Sequence, residues 1–212
     1  AFDGDADRVF LVDERAEDVS GSLLTALVAT AMLHREPGAK VVHNLICSWV
    51  VPEAIREAGG EPVRTRVGHS FIKQVMAETG AVFGGEHSGH YYFRDNYRAD
   101  SGLIAGVVAL GELSASGGTL SSLLAPFRRY VASGEINRRV DDPPAAVERV
   151  AAATADGRQD RLDGLTVEYP EWWCNVRASN TEPLLRLNVE ARTEATLEAA
   201  TARVLDLIGG TT

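Results

Sequence analysis

A chain of 212 residues with 45% hydrophobic content can bury one large core or two small ones. A net charge of −9 and a pI near 5.1 leave no basic face for nucleic acid or an anionic membrane, and the pairs Arg128–Arg129 and Arg138–Arg139 are too short to supply one. Two distant cysteines, Cys47 and Cys174, exclude a disulfide scaffold and fit a reducing, cytoplasmic setting.

The first eight residues, AFDGDADR, place Asp3, Asp5 and Asp7 at alternate positions. In an extended segment the three carboxylates would share one face, where their repulsion calls for a cation. Hard oxygen ligands with a position left for a phosphate oxygen suit Mg²⁺. Arg8 would then meet a phosphate that the metal also touches. Three other readings compete. One is a solvated acidic turn. Another is a calcium loop using Asp3, Asp5, Asp7 and Glu14, although Arg8 stands where that loop needs glycine and VFLVDE reads as a strand. The third is an acid-loop phosphatase with Asp3 or Asp5 as nucleophile. With no initiator Met and an opening that reads as a strand in progress, the chain is expected to be a fragment of a longer protein. No transmembrane run or signal peptide is legible.

Ser20 caps a helix predicted to reach about His34, with Leu23, Leu24, Leu27, Val28 and Ala31 on its buried stripe. KVVHNLI is a buried strand, and a helix near Pro52–Ala58 ends at Gly59–Gly60. PVRTRV alternates as a strand, Ser70 opens a helix that Gly80 stops, and AVFGGE and HYYFRD are strands flanking a tight loop. An apolar helix follows from about Ser101 to Leu113. This alternation predicts an α/β layer with ligands at the loops beyond the strand ends. A boundary falls near residues 114–134. Beyond it, INRRV, LTVEY, WWCNVRA and PLLRLNVEA are strands, with helices at PPAAVERVAAATA and from about Glu194 to Ile208. In the last strand Leu185, Leu187 and Val189 share one face while Arg186, Asn188 and Glu190 share the other, which predicts an antiparallel sheet packed on one side.

Three loops carry candidate chemistry. GGEHSGH, residues 84–90, offers Glu86 as acceptor for two hydroxyls of a sugar, Ser88 as a further contact, and His90 within reach of an oxygen or phosphate. An ordinary polar hairpin turn has the same composition. RASNTEP, residues 177–183, offers Arg177 for bidentate phosphate contact, with Ser179, Asn180 and Thr181 in an anion nest; a plain turn stopped by Pro183 is the alternative. RVGHS, residues 66–70, sets His69 at a helix start, as a proton carrier or as a neighbour of the cap. Together these supply what phosphoryl transfer on a sugar phosphate requires.

DGDADR, GEHSGH and RASNTEPLLRL, in this order and at these separations, resemble the α-D-phosphohexomutases, and most closely their phosphomannomutase/phosphoglucomutase branch. The resemblance implies the end of an α/β domain 2 over residues 1–19, a complete α/β domain 3 over 20–126, and a C-terminal α+β domain over 127–212 whose antiparallel sheet carries helices on one face. It implies Mg²⁺ held by Asp3, Asp5 and Asp7, and catalytic positions at Arg8, His69 and His90. Sugar hydroxyls would fall to Glu86 and Ser88, and the non-transferring phosphate to Arg177, Ser179, Asn180 and Thr181. The family interconverts hexose 6-phosphates and 1-phosphates through a phosphoserine and a hexose 1,6-bisphosphate. The missing N-terminal domains would carry that serine, so the fragment alone is expected to be inactive. A non-catalytic sugar-phosphate-binding module and a phosphoglucosamine mutase are the alternatives, and Asn180 in SNTEP favours hexose phosphates over the latter. Where bacterial relatives often carry Lys before the cysteine, this sequence has Ile46.

Overall fold

The computed structural model describes residues 1–179 and 184–210, in which the chain folds as two compact units, Ala1–Arg129 and Tyr130 onward. The first unit opens with an acidic turn and a small antiparallel pair, β1 (Leu11–Val12) and β2 (Asp18–Val19). Helix α1 (Gly21–Arg35) begins where the Ser20 side chain accepts from the Leu23 amide. It is apolar nearly all round, because it is buried on several sides at once.

A sheet follows, with strands β3 (Lys40–Asn44), β4 (Glu61–Thr65), β5 (Phe83–Gly85) and β6 (Tyr91–Phe93) lying side by side in the order β4-β3-β5-β6. The first three are mutually parallel because helices α2 (Val50–Glu57) and α3 (His69–Thr79) carry the chain back between them. Gly80, at φ +71°, ends α3 in the left-handed region that glycine enters without penalty. Three residues, 80–82, separate α3 from the antiparallel β5–β6 hairpin, whose loop is EHSGH. Val42, Ile72, Met76, Ala81 and Tyr92 form a core on the α3 side of this sheet. Helix α4 (Gly102–Ser116) and the short α5 (Leu120–Leu124) complete the unit, α4 capped by Ser101 and α5 by a Thr119–Ser122 capping box.

The second unit is a five-stranded antiparallel sheet of β7 (Val131–Arg139), β8 (Arg158–Asp160), β9 (Leu165–Glu168), β10 (Trp172–Ala178) and β11 (Leu184–Ala191), in the order β7-β11-β10-β9-β8. Helices α6 (Pro143–Ala153) and α7 (Glu194–Ile208) bury Leu165, Val167, Cys174, Val176, Leu185, Leu187 and Val189 against one face. This is the expected fold class, α/β followed by an antiparallel α+β unit. Both helices cover the same face of this sheet, as expected. Asn175, Arg177, Asn188 and Glu190 on the other face are also buried. Some of their polar atoms find partners there, Trp173 Nε1 donating to Glu190 at 2.9 Å and Asn175 Nδ2 to Thr166 Oγ1 at 3.1 Å, while Asn175 Oδ1 and Asn188 Nδ2 are buried without a hydrogen-bond partner.

Candidate functional site

The acidic loop is not the extended segment expected from its alternate aspartates. Residues 3–7 form a turn, with the Ala6 amide donating to Asp3 O and Ala6 in the left-handed region at φ +59°. Curvature rather than pleating gathers Asp3, Asp5 and Asp7, whose carboxylate oxygens lie within 4.8 Å of one another. Arg8 closes the turn. Its Nε donates to Asp3 Oδ2 at 2.7 Å and its amide to Asp3 Oδ1 at 3.2 Å. That hydrogen bond holds the Asp3 carboxyl below its ordinary range, and Asp3 raises Arg8. Asp7 is pushed the other way, by burial and by the charges of Asp5 and Asp3, against a lowering from His90. Its buried Oδ1 has no hydrogen-bond partner. Three converging hard oxygen donors, one of them unsatisfied, fit a small divalent cation such as Mg²⁺.

A backbone bridge between Arg8 and His90 joins this turn to the β5–β6 hairpin. Gly102, at the start of α4, packs directly on the same place: a Cβ there would lie 2.6 Å from the Arg8 carbonyl carbon. His90 Nε2 stands 3.5 Å from Asp7 Oδ2, and Ser88 Oγ lies 3.1 Å from His90 Nδ1. The hairpin thus sets His90 between the acidic loop and the Ser88 hydroxyl. Asp100 joins Asp7 and His90 in a second group of converging ligand atoms, and Lys73 Nζ pairs with Asp100 at 2.8 Å.

Glu86 is only 3% exposed, and its carboxylate is held by three donors from separate segments. Oε1 accepts from Asn44 Nδ2 at 3.2 Å and from the Gly68 amide at 3.1 Å, and Oε2 accepts from the Tyr92 hydroxyl at 2.8 Å. A carboxylate offers about four lone-pair sites, so roughly one remains, on the Oε2 atom that faces His90 Nδ1 across 3.7 Å. Glu86 therefore has room for one further hydroxyl rather than the two expected from the sequence. Asn44, Gly68, Lys73, Tyr92 and Asp100 had no signal in the sequence. Asn44 and Gly68 lie at element ends, Tyr92 in a strand that reads as ordinary core, Lys73 inside α3 and Asp100 just before the cap of α4, and only the three-dimensional convergence distinguishes them.

His69 is the first residue of α3 and is exposed, beside Gly68, whose φ of +127° turns the chain so that its amide reaches Glu86. Ile46 is buried. In the second unit, Arg177 near the end of β10 is buried, and its Nη2 donates to Glu135 Oε2 at 3.3 Å. Arg186, opposite it on β11, approaches the other oxygen of Glu135 at 3.6 Å. The Ser179 amide donates to Leu184 O at 2.8 Å, continuing the β10–β11 ladder by one step. Asn180 and Thr181 lie outside the described residues.

An α/β unit whose acidic turn meets a polar hairpin loop, followed by an antiparallel α+β unit, defines a class that comparison with known proteins makes specific. Residues 20–130 match the family described as phosphoglucomutase/phosphomannomutase, alpha/beta/alpha domain III, and residues 135–207 match its C-terminal domain. The chain is 42% identical over 212 residues to a phosphomannomutase of Escherichia coli, covering 98% of this chain and 46% of that protein. It is 44% identical over 214 residues to a protein named phosphohexose mutases from Xanthomonas campestris pv. campestris strain B100, covering 99% and 48%. A crystal structure of a phosphoglucomutase/phosphomannomutase family protein from Burkholderia thailandensis superposes with a TM-score of 0.85 at 33% identity, over 100% of this chain and 47% of that one. The chain belongs to the phosphoglucomutase/phosphomannomutase family, within the α-D-phosphohexomutases. It spans about half the length of the curated relatives it matches.

Proposed function

We propose that this chain supplies the metal-holding and sugar-reading parts of a Mg²⁺-dependent phosphohexomutase. The enzyme would interconvert hexose 6-phosphate and hexose 1-phosphate, mannose or glucose, through a hexose 1,6-bisphosphate. The phosphoserine that donates the phosphoryl group would lie on polypeptide outside these 212 residues, on domains preceding the remnant at residues 1–19. The observation that carries this reading is the acidic turn bridged at Arg8–His90 to a hairpin presenting Glu86 and Ser88.

Asp3, Asp5 and Asp7 would hold Mg²⁺, which when bound polarises a phosphoryl oxygen and offsets the charge that develops on transfer. Glu86 would accept one sugar hydroxyl at its remaining lone pair, and the adjacent Ser88 would take the neighbouring one. His90, between Asp7 and Ser88, is placed to pass a proton to or from a hydroxyl at its Nδ1 side. His69, exposed at the start of α3, would offer a second imidazole to an anion. Arg8 would exchange Asp3 for a phosphate oxygen. In the second unit Arg177, Ser179, Asn180 and Thr181 would grip a phosphate, with Arg177 leaving Glu135 for it.

The test is calorimetric titration of the chain with mannose 1-phosphate and glucose 1-phosphate, with turnover assayed alongside. Saturable binding weakened by Arg177→Ala, with no turnover by the chain alone, is expected. Isomerisation by the pure chain would overturn the assignment of the serine to another segment. Absence of binding to either sugar phosphate would overturn the reading itself.

A further inference from the structure

Tyr92 is fully buried, and its ring belongs to the core formed with Val42, Ile72, Met76 and Ala81. Phenylalanine would fill that space equally well. A hydroxyl taken into such a core costs free energy unless it finds a partner, and this one finds the carboxylate of Glu86 at 2.8 Å. The ring has little freedom to leave it. Its strand pairs in register with Gly84, a backbone bridge ties Tyr92 to Asp100, and the Lys73 ammonium sits 5.6 Å from the ring centroid. Lys73 is itself fixed by its pair with Asp100. Burial and the neighbouring negative charge of Glu86 push the Tyr92 hydroxyl far above its ordinary range, so it stays a proton donor.

We propose that Tyr92 is a positioning residue. Its hydroxyl occupies the inward lone pair of Glu86 Oε2 and so aims the outward one at a ligand hydroxyl beside Ser88 and His90. Asn44 and the Gly68 amide hold Oε1 while Tyr92 holds the inward side of Oε2, so the outward side of Oε2 is the one left for a hydroxyl. This rests on the proposed sugar-reading role of Glu86. It goes further by assigning the selection to a side chain that touches no ligand.

The test uses the 212-residue chain with ¹³C-labelled glutamate, in wild-type, Tyr92→Phe and Glu86→Gln forms. Losing one hydrogen bond to a charged group is expected to weaken mannose 1-phosphate binding about tenfold in Tyr92→Phe. Binding of inorganic phosphate should stay unchanged. The Glu86 ¹³C carboxyl signal should shift on adding mannose 1-phosphate to the wild type and shift much less in Tyr92→Phe, a loss that inorganic phosphate does not share. If Tyr92→Phe fails to fold, ¹³C-labelled tyrosine in the wild-type chain reads the same contact: the Tyr92 Cζ signal should shift on adding mannose 1-phosphate and not on adding inorganic phosphate. A Glu86 response as large in Tyr92→Phe as in the wild type, an unmoved Tyr92 signal, or equal losses for mannose 1-phosphate and inorganic phosphate overturns the role of Tyr92. Unchanged sugar-phosphate binding in Glu86→Gln overturns the sugar-reading role of Glu86 instead.

Discussion

His43 lies in the middle of the parallel sheet, 5% exposed, one residue before the Asn44 that holds Glu86. Burial lowers its pKa from 6.5 to about 4. Its Nδ1 contact with Asn44 O opposes the shift, and the charges of Arg64 and Arg56 add to it. The folded chain therefore keeps the ring neutral where the unfolded chain takes up a proton. The stability this neutral ring allows is fully present above pH 6.5 and is lost as pH falls from there towards 4. At ~1.4 kcal/mol per pH unit the whole window amounts to about 3 kcal/mol, of which about 2 kcal/mol has gone by pH 5. Urea unfolding followed at pH 7, 6 and 5 should show this loss in the first unit, using Trp49 fluorescence with Trp172 and Trp173 replaced by phenylalanine. His43→Gln, whose amide can still donate to Asn44 O but cannot charge, should lose markedly less between pH 7 and 5. A His43 imidazole that titrates near pH 6.5 in the folded chain would refute the reasoning. Equal losses in the two proteins would do the same.

Mg²⁺ at roughly ten times its dissociation constant should stabilise the first unit by about 1.4 kcal/mol, seen as a rise in Tm. Asp5→Asn should abolish that rise while leaving the metal-free protein folded. Gly102→Ala should cost about 1–3 kcal/mol, because its methyl group would meet the backbone of Arg8. The same variant should reduce the Mg²⁺ response, since the displaced backbone belongs to the acidic turn. Cys47 and Cys174 should resist alkylation in the folded protein and react only in denaturant. Burial raises both thiols, Cys174 to about 12, so little thiolate is present.

Much of the fold was legible because its signals are local. Ser20, Ser101, Gly80 and the proline pair at the start of α6 mark helix ends by their own chemistry, and the structure places the ends there. The alternation of Leu185, Leu187 and Val189 likewise gave the buried face of β11. What escaped was tertiary. The short β8 has no pattern of its own and exists because β9 offers it an edge. Asn188 and Glu190 share the face opposite the apolar one, yet they too are buried, Glu190 accepting from Trp173 Nε1. The acidic loop was legible in composition but not in conformation, since no propensity announces a left-handed alanine at residue 6. The donors to Glu86 come from residues 44, 68 and 92, and no spacing rule links positions so far apart.

The carboxylate of Glu86 draws together the end of β3, the entry to α3 and the strand β6, each through a group that would otherwise be stranded in the interior. The same atom set holds three segments in place and, under the proposed function, would also meet a hydroxyl arriving from outside. A relative without that role could not simply discard this acid, because three orphaned donors would weigh on folding. Persistence of a glutamate at this position would therefore testify to architecture before it testified to chemistry.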